Sequence, residues 1–227
     1  YHVTWSANAA EKGGFEHFMM KEIHEQPKAI RDTMTSRIMP GKPVTLDDIK
    51  LTKEQIENID KIYIVACGTA YHAGIVGKYV IEVDIASEFR YRNPIINKRT
   101  LMIIISQSGE TADTLAALRE AKKRGARVIA VTNVVGSSVS READDILYTW
   151  AGPEIAVAST KAYVTQLIAI YIIALFFAQH KNTLSSEKIE SIKKEMLSLP
   201  IKAEKVLGNK EIIQEMAEKI YKNKDIF

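Results

Sequence analysis

The chain has 227 residues, enough for one large domain or two small ones. Its hydrophobic fraction of 46% and charged fraction of 26% are typical of a soluble globular protein, and its net charge of +3 is too small to indicate nucleic-acid binding. The single cysteine, Cys67, excludes an internal disulfide and fits a reducing compartment, so we expect a cytoplasmic location. Residues 1–11 are polar and mixed, unlike a secretory signal.

The first sixty residues show helical patterns but no chemical motif. Residues 1–14 have no periodicity and indicate a linker, whereas residues 15–23 carry a helical apolar stripe that Pro27 either breaks or restarts. Residues 29–38 predict a second helix. The three histidines of this region lack the clustered partners that a metal site needs, so the sequence indicates no metal.

From residue 61 onward, short apolar runs alternate with helical patterns. The runs predict five strands, at 62–66, 83–86, 101–105, 128–132 and 146–149. Strands that alternate with helices form a parallel sheet covered on both faces, with right-handed crossovers. The expected fold is therefore a three-layer α/β domain with a helical segment before it. Charged helical patterns follow at 186–197, 201–206 and 210–222.

The most informative stretch follows the third strand, where five consecutive apolar residues are succeeded by Ser-Gln-Ser-Gly-Glu-Thr at 106–111. A helical pattern runs from Ala112 to Gly125, so this polar cluster lies on a strand-to-helix turn at the carboxyl edge of the sheet. At such an edge the free N–H groups of the first helical turn and the helix dipole favour an anion.

The side chains of this turn add further donors. The residues are Ser106, Ser108 and Thr111 with their hydroxyl groups, Gln107 with its amide, and Gly109, which lets the backbone come close to a ligand. We interpret the turn as a phosphate cradle that needs no metal. The alternative is an ordinary capped helix, because Ser and Thr are common N-cap residues.

Two further turns could face the same ligand. Residues 67–70, Cys-Gly-Thr-Ala, follow the first strand in the same way, and in the absence of a His/Asn pattern we expect Cys67 to be a packed thiol rather than a nucleophile. The loop at 151–161 leads into a long apolar helix. Val157 could offer backbone groups and Ser159 a hydroxyl to a ligand, or the loop could serve only as a helix cap.

The segment from 162 to 180 contains no Asp, Glu, Lys or Arg and reaches the lower limit for a membrane span. Thr165, Gln166 and Gln179 interrupt it, so we expect a core or subunit-interface helix and no membrane association. Lys161, which precedes it, either neutralises an anion or extends its stem along an apolar surface. Because the helix is apolar around much of its circumference, it needs a second covering surface, and we favour a homodimer.

Several segments together resemble one family and cover nearly the whole chain. They are the linker-like residues 11–23, Cys-Gly-Thr at 67–69, Ala-Ser-Glu-Phe-Arg-Tyr-Arg at 86–92, the turn at 106–114, and Glu-Ile-Ala-Val-Ala-Ser-Thr-Lys-Ala at 154–162. This set is similar to the first sugar-isomerase (SIS) domain of the glutamine–fructose-6-phosphate aminotransferase family, the glucosamine-6-phosphate synthases. The resemblance implies a flavodoxin-like SIS fold.

The resemblance also implies a ligand. The full-length proteins of that family make glucosamine 6-phosphate from fructose 6-phosphate and glutamine, without a metal. By the resemblance, the residues that hold the sugar phosphate are Ser106, Gln107, Ser108 and Thr111, and those that touch the sugar are Thr69, Val157 and Ser159. No catalytic residue falls in this chain, because the family places the isomerisation base in a second SIS domain.

A domain organisation follows from the same resemblance. Residues 1–25 correspond to an interdomain linker and first helix, 26–209 to the first SIS domain, and 210–227 to a helix and the start of a second SIS domain. The family's glutaminase domain and most of the second SIS domain have no counterpart in the sequence. We therefore expect this chain alone to be inactive.

The sequence departs from the family in two places, and one alternative function remains. The family has Ser where Ala70 stands, and it has a few more residues between Glu82 and Val83. The alternative is a stand-alone SIS sensor module that binds a phosphosugar and controls a partner. Residues 15–60 show no basic face or recognition helix, so we expect no nucleic-acid partner.

Overall fold

The computed structural model describes residues 11–46, 48–77 and 82–224. From residue 61 its strands and helices alternate as the sequence predicts. The strands are β1 (Lys61–Ala66), β2 (Glu82–Ile85), β3 (Thr100–Ser106), β4 (Arg127–Thr132) and β5 (Asp145–Tyr148). The helices are α1 (Phe18–His24), α2 (Gln26–Met34), α3 (Lys53–Glu57), α4 (Gly68–Val76), α5 (Ala86–Phe89), α6 (Ala112–Lys123), α7 (Ser138–Glu142), α8 (Lys161–His180), α9 (Ser186–Leu207) and α10 (Lys210–Ile220).

The five strands form one parallel sheet in the order β2-β1-β3-β4-β5. Every residue of the central strand β3 is buried, and its side chains alternate between two apolar cores. Ile103 and Ile105 pack with side chains of α2, α4, α8 and α9, whereas Met102 and Ile104 pack with α6 on the other face. The predicted three-layer α/β fold is confirmed.

The strand order creates a crevice at the carboxyl edge of the sheet. After β1 the chain moves outward to β2, and after β3 it moves outward in the opposite direction to β4. Ala66 pairs with Ile105, so the turns that follow β1 and β3 begin at the same level. In open parallel sheets, ligands bind at this point where the order reverses. The turn at 67–69 and the turn at 106–111 therefore flank one crevice.

Several helix boundaries differ from those that the sequence predicts. Pro27 is the second residue of α2, so it restarts a helix rather than only breaking one. The helix predicted for 29–38 ends at Met34, because Thr35 leaves the helical conformation and Ser36 adopts a left-handed φ of 66°. The predicted break between 197 and 201 is wrong: α9 continues through the buried Pro200, supported by packing against α2 and α8.

Helix α8 lies in the core. It is long and apolar enough to cross a membrane by length and composition alone, but 67% of its most apolar window is buried within the chain. It contacts α2, α3, α4 and α9. The expectation of a core helix is thus confirmed, and only Tyr171 and Ala174 along its length are exposed, with half-buried neighbours on the same stripe.

Two predictions fall wholly or partly outside the described residues. They concern most of the linker at 1–14 and the start of a second domain at 225–227. The helix-to-strand junction predicted between Glu82 and Val83 is wrong: both residues belong to β2, where they pair with Tyr63 and Ile64 of β1, and α4 ends earlier, at Val76.

Candidate functional site

The turn at 106–111 is held in shape by its own hydroxyl groups. Ser106 Oγ accepts a hydrogen bond from the Gly109 N–H at 3.1 Å and lies 3.3 Å from Thr111 Oγ1. Ser108 Oγ accepts one from the Glu110 N–H at 3.2 Å. The buried Ser106 therefore shapes the loop, while the exposed Ser108 presents its hydroxyl at the surface.

The amino terminus of α6 leaves its first turn open to a ligand. Thr111 is the N-cap residue, yet its side chain makes no capping hydrogen bond to the helix. The capping bond that the alternative interpretation requires is thus absent. The free N–H groups and the positive end of the helix dipole remain available at the crevice, which favours an anion.

Gly109 is required by both its conformation and its surroundings. Its φ of +68° lies in the left-handed region that favours glycine. A Cβ at this position would overlap Ser137 Oγ and come within 2.5 Å of Ser137 Cβ and 3.0 Å of Thr132 Oγ1. The Gly109 carbonyl also accepts a hydrogen bond from the Val139 N–H at 2.9 Å. The turn is therefore packed tightly against the segment that follows β4.

Glu110 forms a hydrogen bond with the first residue of the neighbouring helix α7. Its exposed carboxylate accepts a hydrogen bond from the Ser138 N–H at 2.7 Å. Hydrogen bonding from Ser138, assisted by the charge of Arg141, holds the pKa of Glu110 below its usual value. A carboxylate whose pKa is lowered is a weak general base at neutral pH.

Asn133 connects the turn at 106–111 to the loop after β5. Its N–H donates to the Gln107 carbonyl at 3.2 Å. The buried side chain accepts from the Ala151 N–H at 2.8 Å and from the Thr149 hydroxyl at 3.1 Å, and donates to the Gly152 carbonyl at 2.7 Å. No motif in the sequence marks Asn133, although an Asn directly after a buried strand is a signal that could have indicated its role.

Gln107 contributes a buried side-chain oxygen without a partner: its Oε1 has no hydrogen-bond partner among the described residues. Buried polar groups are almost always paired, so an orphaned amide end in a crevice calls for a ligand or water. Because the amide oxygen and nitrogen can exchange places, either could face that ligand.

The loop at 151–160 caps α8 and also exposes its tip. Glu154 Oε1 accepts from the Thr160 N–H at 2.9 Å and the Ala162 N–H at 3.1 Å, and Ser159 Oγ donates to Glu154 Oε2 at 3.2 Å. Val157 at the tip is fully exposed. In the described residues no hydrogen bond joins Val157 or Ser159 to the turn at 106–111, and what they share with it is the carboxyl edge of the sheet.

The remaining predicted residues divide into exposed and buried ones. Thr69 is exposed in the first turn of α4, directly after β1, and Cys67 before it is a free, half-buried thiol. Lys161 is buried and forms an ion pair with Glu25. Lys161 therefore neither neutralises an outside anion nor extends along the surface.

Within 11–46, 48–77 and 82–224, no group of three or more His, Cys, Asp or Glu could hold a metal ion.

A comparison with known protein families shows which family the chain belongs to. The sequence model of the SIS domain matches residues 55–176, more than half of the chain. The chain belongs to the SIS domain family. The match includes all five strands of the sheet and the turns at 67–70, 106–111 and 151–161, whereas α1 and α2 precede it.

Relatives of this SIS chain are aminotransferases. The chain is 75% identical over 234 aligned positions to glutamine–fructose-6-phosphate aminotransferase (isomerizing) of Clostridium acetobutylicum, and 73% identical to that of Clostridium tetani. It is matched over its full length and spans 38% and 39% of those proteins. The 234 positions exceed the 227 residues of the chain, so that relative has residues that this chain lacks.

A solved structure agrees with these relatives. The C-terminal domain of glucosamine-fructose-6-phosphate aminotransferase from Francisella tularensis superposes with a TM-score of 0.85 at 40% identity, covering 92% of this chain and 60% of that one. The resemblance indicated by the sequence motifs is confirmed.

Proposed function

We propose that this chain is the sugar-phosphate-binding half of the isomerase part of an enzyme that makes glucosamine 6-phosphate from fructose 6-phosphate and glutamine. The open amino terminus of α6 in the crevice carries the proposal, because it offers N–H groups and a helix dipole to a phosphate. The identity of the sugar, fructose 6-phosphate, comes from the names of two relatives that are 75% and 73% identical along the whole chain. That identity extends beyond the SIS match, which favours the enzyme over a stand-alone sensor module.

The phosphate lies at the turn and the sugar extends from it toward the neighbouring loops. Ser106, Gln107, Ser108 and Thr111 hold the phosphate together with the first N–H groups of α6. The groups that touch the sugar are the side chain of Thr69, the backbone at Val157 and the hydroxyl of Ser159. Neither a metal nor another cofactor is needed, because helix N–H groups and hydroxyls satisfy the phosphate oxygens.

Calorimetry tests this assignment. Fructose 6-phosphate and glucosamine 6-phosphate should bind, whereas fructose should bind far more weakly because it lacks the anion. Ser108→Ala should weaken the binding of fructose 6-phosphate by about fivefold, which corresponds to one lost hydrogen bond of about 1 kcal/mol. Ser191→Ala, at an exposed serine of α9, is the matched control and should leave the affinity unchanged. Equal affinities for fructose and fructose 6-phosphate would contradict the assignment.

The chain's assembly, location and domain limits belong to the same proposal. Along α8, half-buried Tyr163 and Leu167 and exposed Tyr171 form one stripe that a second copy would cover in a homodimer. The enzyme works in the cytoplasm.

The SIS domain extends over 26–209. The segment that follows, whose helix α10 has no buried residue, leads toward a second SIS domain.

A further inference from the structure

A buried carboxylate from α1 contacts the loop that carries Val157 and Ser159. The side chain of Glu22 is 1% exposed. Its Oε1 accepts hydrogen bonds from the Ile155 N–H at 2.6 Å and the Ala156 N–H at 3.2 Å, and Oε2 lies 3.3 Å from the same Ala156 N–H. Glu22 lies outside the SIS match, which begins at residue 55.

This arrangement holds the loop firmly, because a buried carboxylate requires hydrogen-bond donors around it. An ionised carboxylate removed from water is very unfavourable unless hydrogen bonds replace its hydration. Here backbone N–H groups 133 and 134 residues away in the sequence supply them. Because charge-assisted hydrogen bonds are about twice as strong as neutral ones, the peptide groups at 155 and 156 are fixed to α1.

The carboxyl-terminal end of the loop is also held by the segment that contains Glu22. Glu25, one turn after Glu22, forms an ion pair with the buried Lys161, the first residue of α8. The junction of α1 and α2 therefore holds the loop on both sides of Val157 and Ser159. The Val157 side chain is fully exposed and has no packing of its own to fix its backbone.

We propose that Glu22 is a positioning residue for the sugar-contacting loop, an inference that rests on the proposed function. By holding the peptide groups at 155 and 156, Glu22 keeps the Val157 backbone and the Ser159 hydroxyl aligned with the sugar. A loop released from this anchor must be ordered when the sugar binds, and that ordering weakens the affinity. The phosphate turn is unaffected, because it is held by its own hydroxyls and by Asn133.

Two readouts on the Glu22→Gln variant test this role. The variant keeps the size of the side chain but loses its charge, and hydrogen exchange at the amides of 155 and 156 should become faster. The affinity for fructose 6-phosphate should fall about tenfold, as expected when charge-assisted hydrogen bonds are replaced by weaker neutral ones, while that for inorganic phosphate stays unchanged. Glu16→Gln is the matched control, because Glu16 lies on the same segment with its side chain 88% exposed.

The outcomes separate this role from the proposed function. Unchanged amide exchange at 155 and 156 in Glu22→Gln would overturn the proposal, and so would faster exchange with unchanged affinity for fructose 6-phosphate. An equal loss of affinity for inorganic phosphate would also overturn it, since it would indicate general unfolding. If the unsubstituted chain bound neither ligand, the proposed function would fail, while the exchange measurement would still decide whether Glu22 holds the loop.

Discussion

Replacing Gly109 with alanine should destabilise the protein more than the same change at any open glycine of similar backbone conformation. The structure gives two separate causes. The φ of +68° places an alanine in the left-handed region, and the added Cβ would overlap the side chain of Ser137. Ser137 cannot move outward easily, because it is 2% exposed and precedes α7 directly.

The magnitude follows from adding these causes. A left-handed alanine is less favourable by about 1–2 kcal/mol, and the lower entropy of the unfolded chain offsets about 0.4–1 kcal/mol of that. Forcing an extra methyl group into a packed site adds about 1–3 kcal/mol. We therefore expect Gly109→Ala to lower the free energy of unfolding by about 1–4.6 kcal/mol.

Urea unfolding measures this change, and Gly41 provides the matched control. Gly41 has a φ of +66°, but no heavy atom lies within 4 Å of a Cβ built there. Gly41→Ala should therefore show only the conformational part, about 0–1.6 kcal/mol. Adding Ser137→Gly to Gly109→Ala should recover part of the loss, because it removes the overlapping atoms. Equal losses for Gly109→Ala and Gly41→Ala would refute the argument from packing.

Three further predictions concern catalysis, association and pH. The purified chain should neither isomerise sugar phosphates nor transfer ammonia, because Glu110 is a weak base and already accepts a hydrogen bond from the Ser138 N–H. Turnover that disappears in Glu110→Gln would contradict this. Sedimentation should show a dimer that dissociates on dilution, whereas a monomer at high concentration would mean that Tyr171 and its stripe need no partner. Because the folded pKa of Glu110 lies below the usual 4.5, its stabilising effect is complete above that pH and disappears as the pH falls through the lower value. Glu110→Gln should therefore reduce stability near neutral pH but make little difference in strong acid, and equal losses at both would be inconsistent with the hydrogen bond to Ser138.

The sequence by itself determined the sheet and the turn at 106–111, because both depend on short-range patterns. Five consecutive apolar residues at 101–105 specify a strand buried on both faces, and the structure buries every residue of β3. The hydroxyls at 106, 108 and 111 interact with groups no more than five residues away, so their spacing is visible in the chain.

Only the tertiary structure decided how the surrounding loops are held. Glu22 binds the N–H of residue 155, and Lys161 pairs with Glu25 across 136 residues. No periodicity or local spacing encodes such pairs, because they arise when strand order and helix packing bring distant segments together. Pro200 follows the same logic: its local effect opposes a helix, but packing of α9 against α2 and α8 outweighs one missing hydrogen bond.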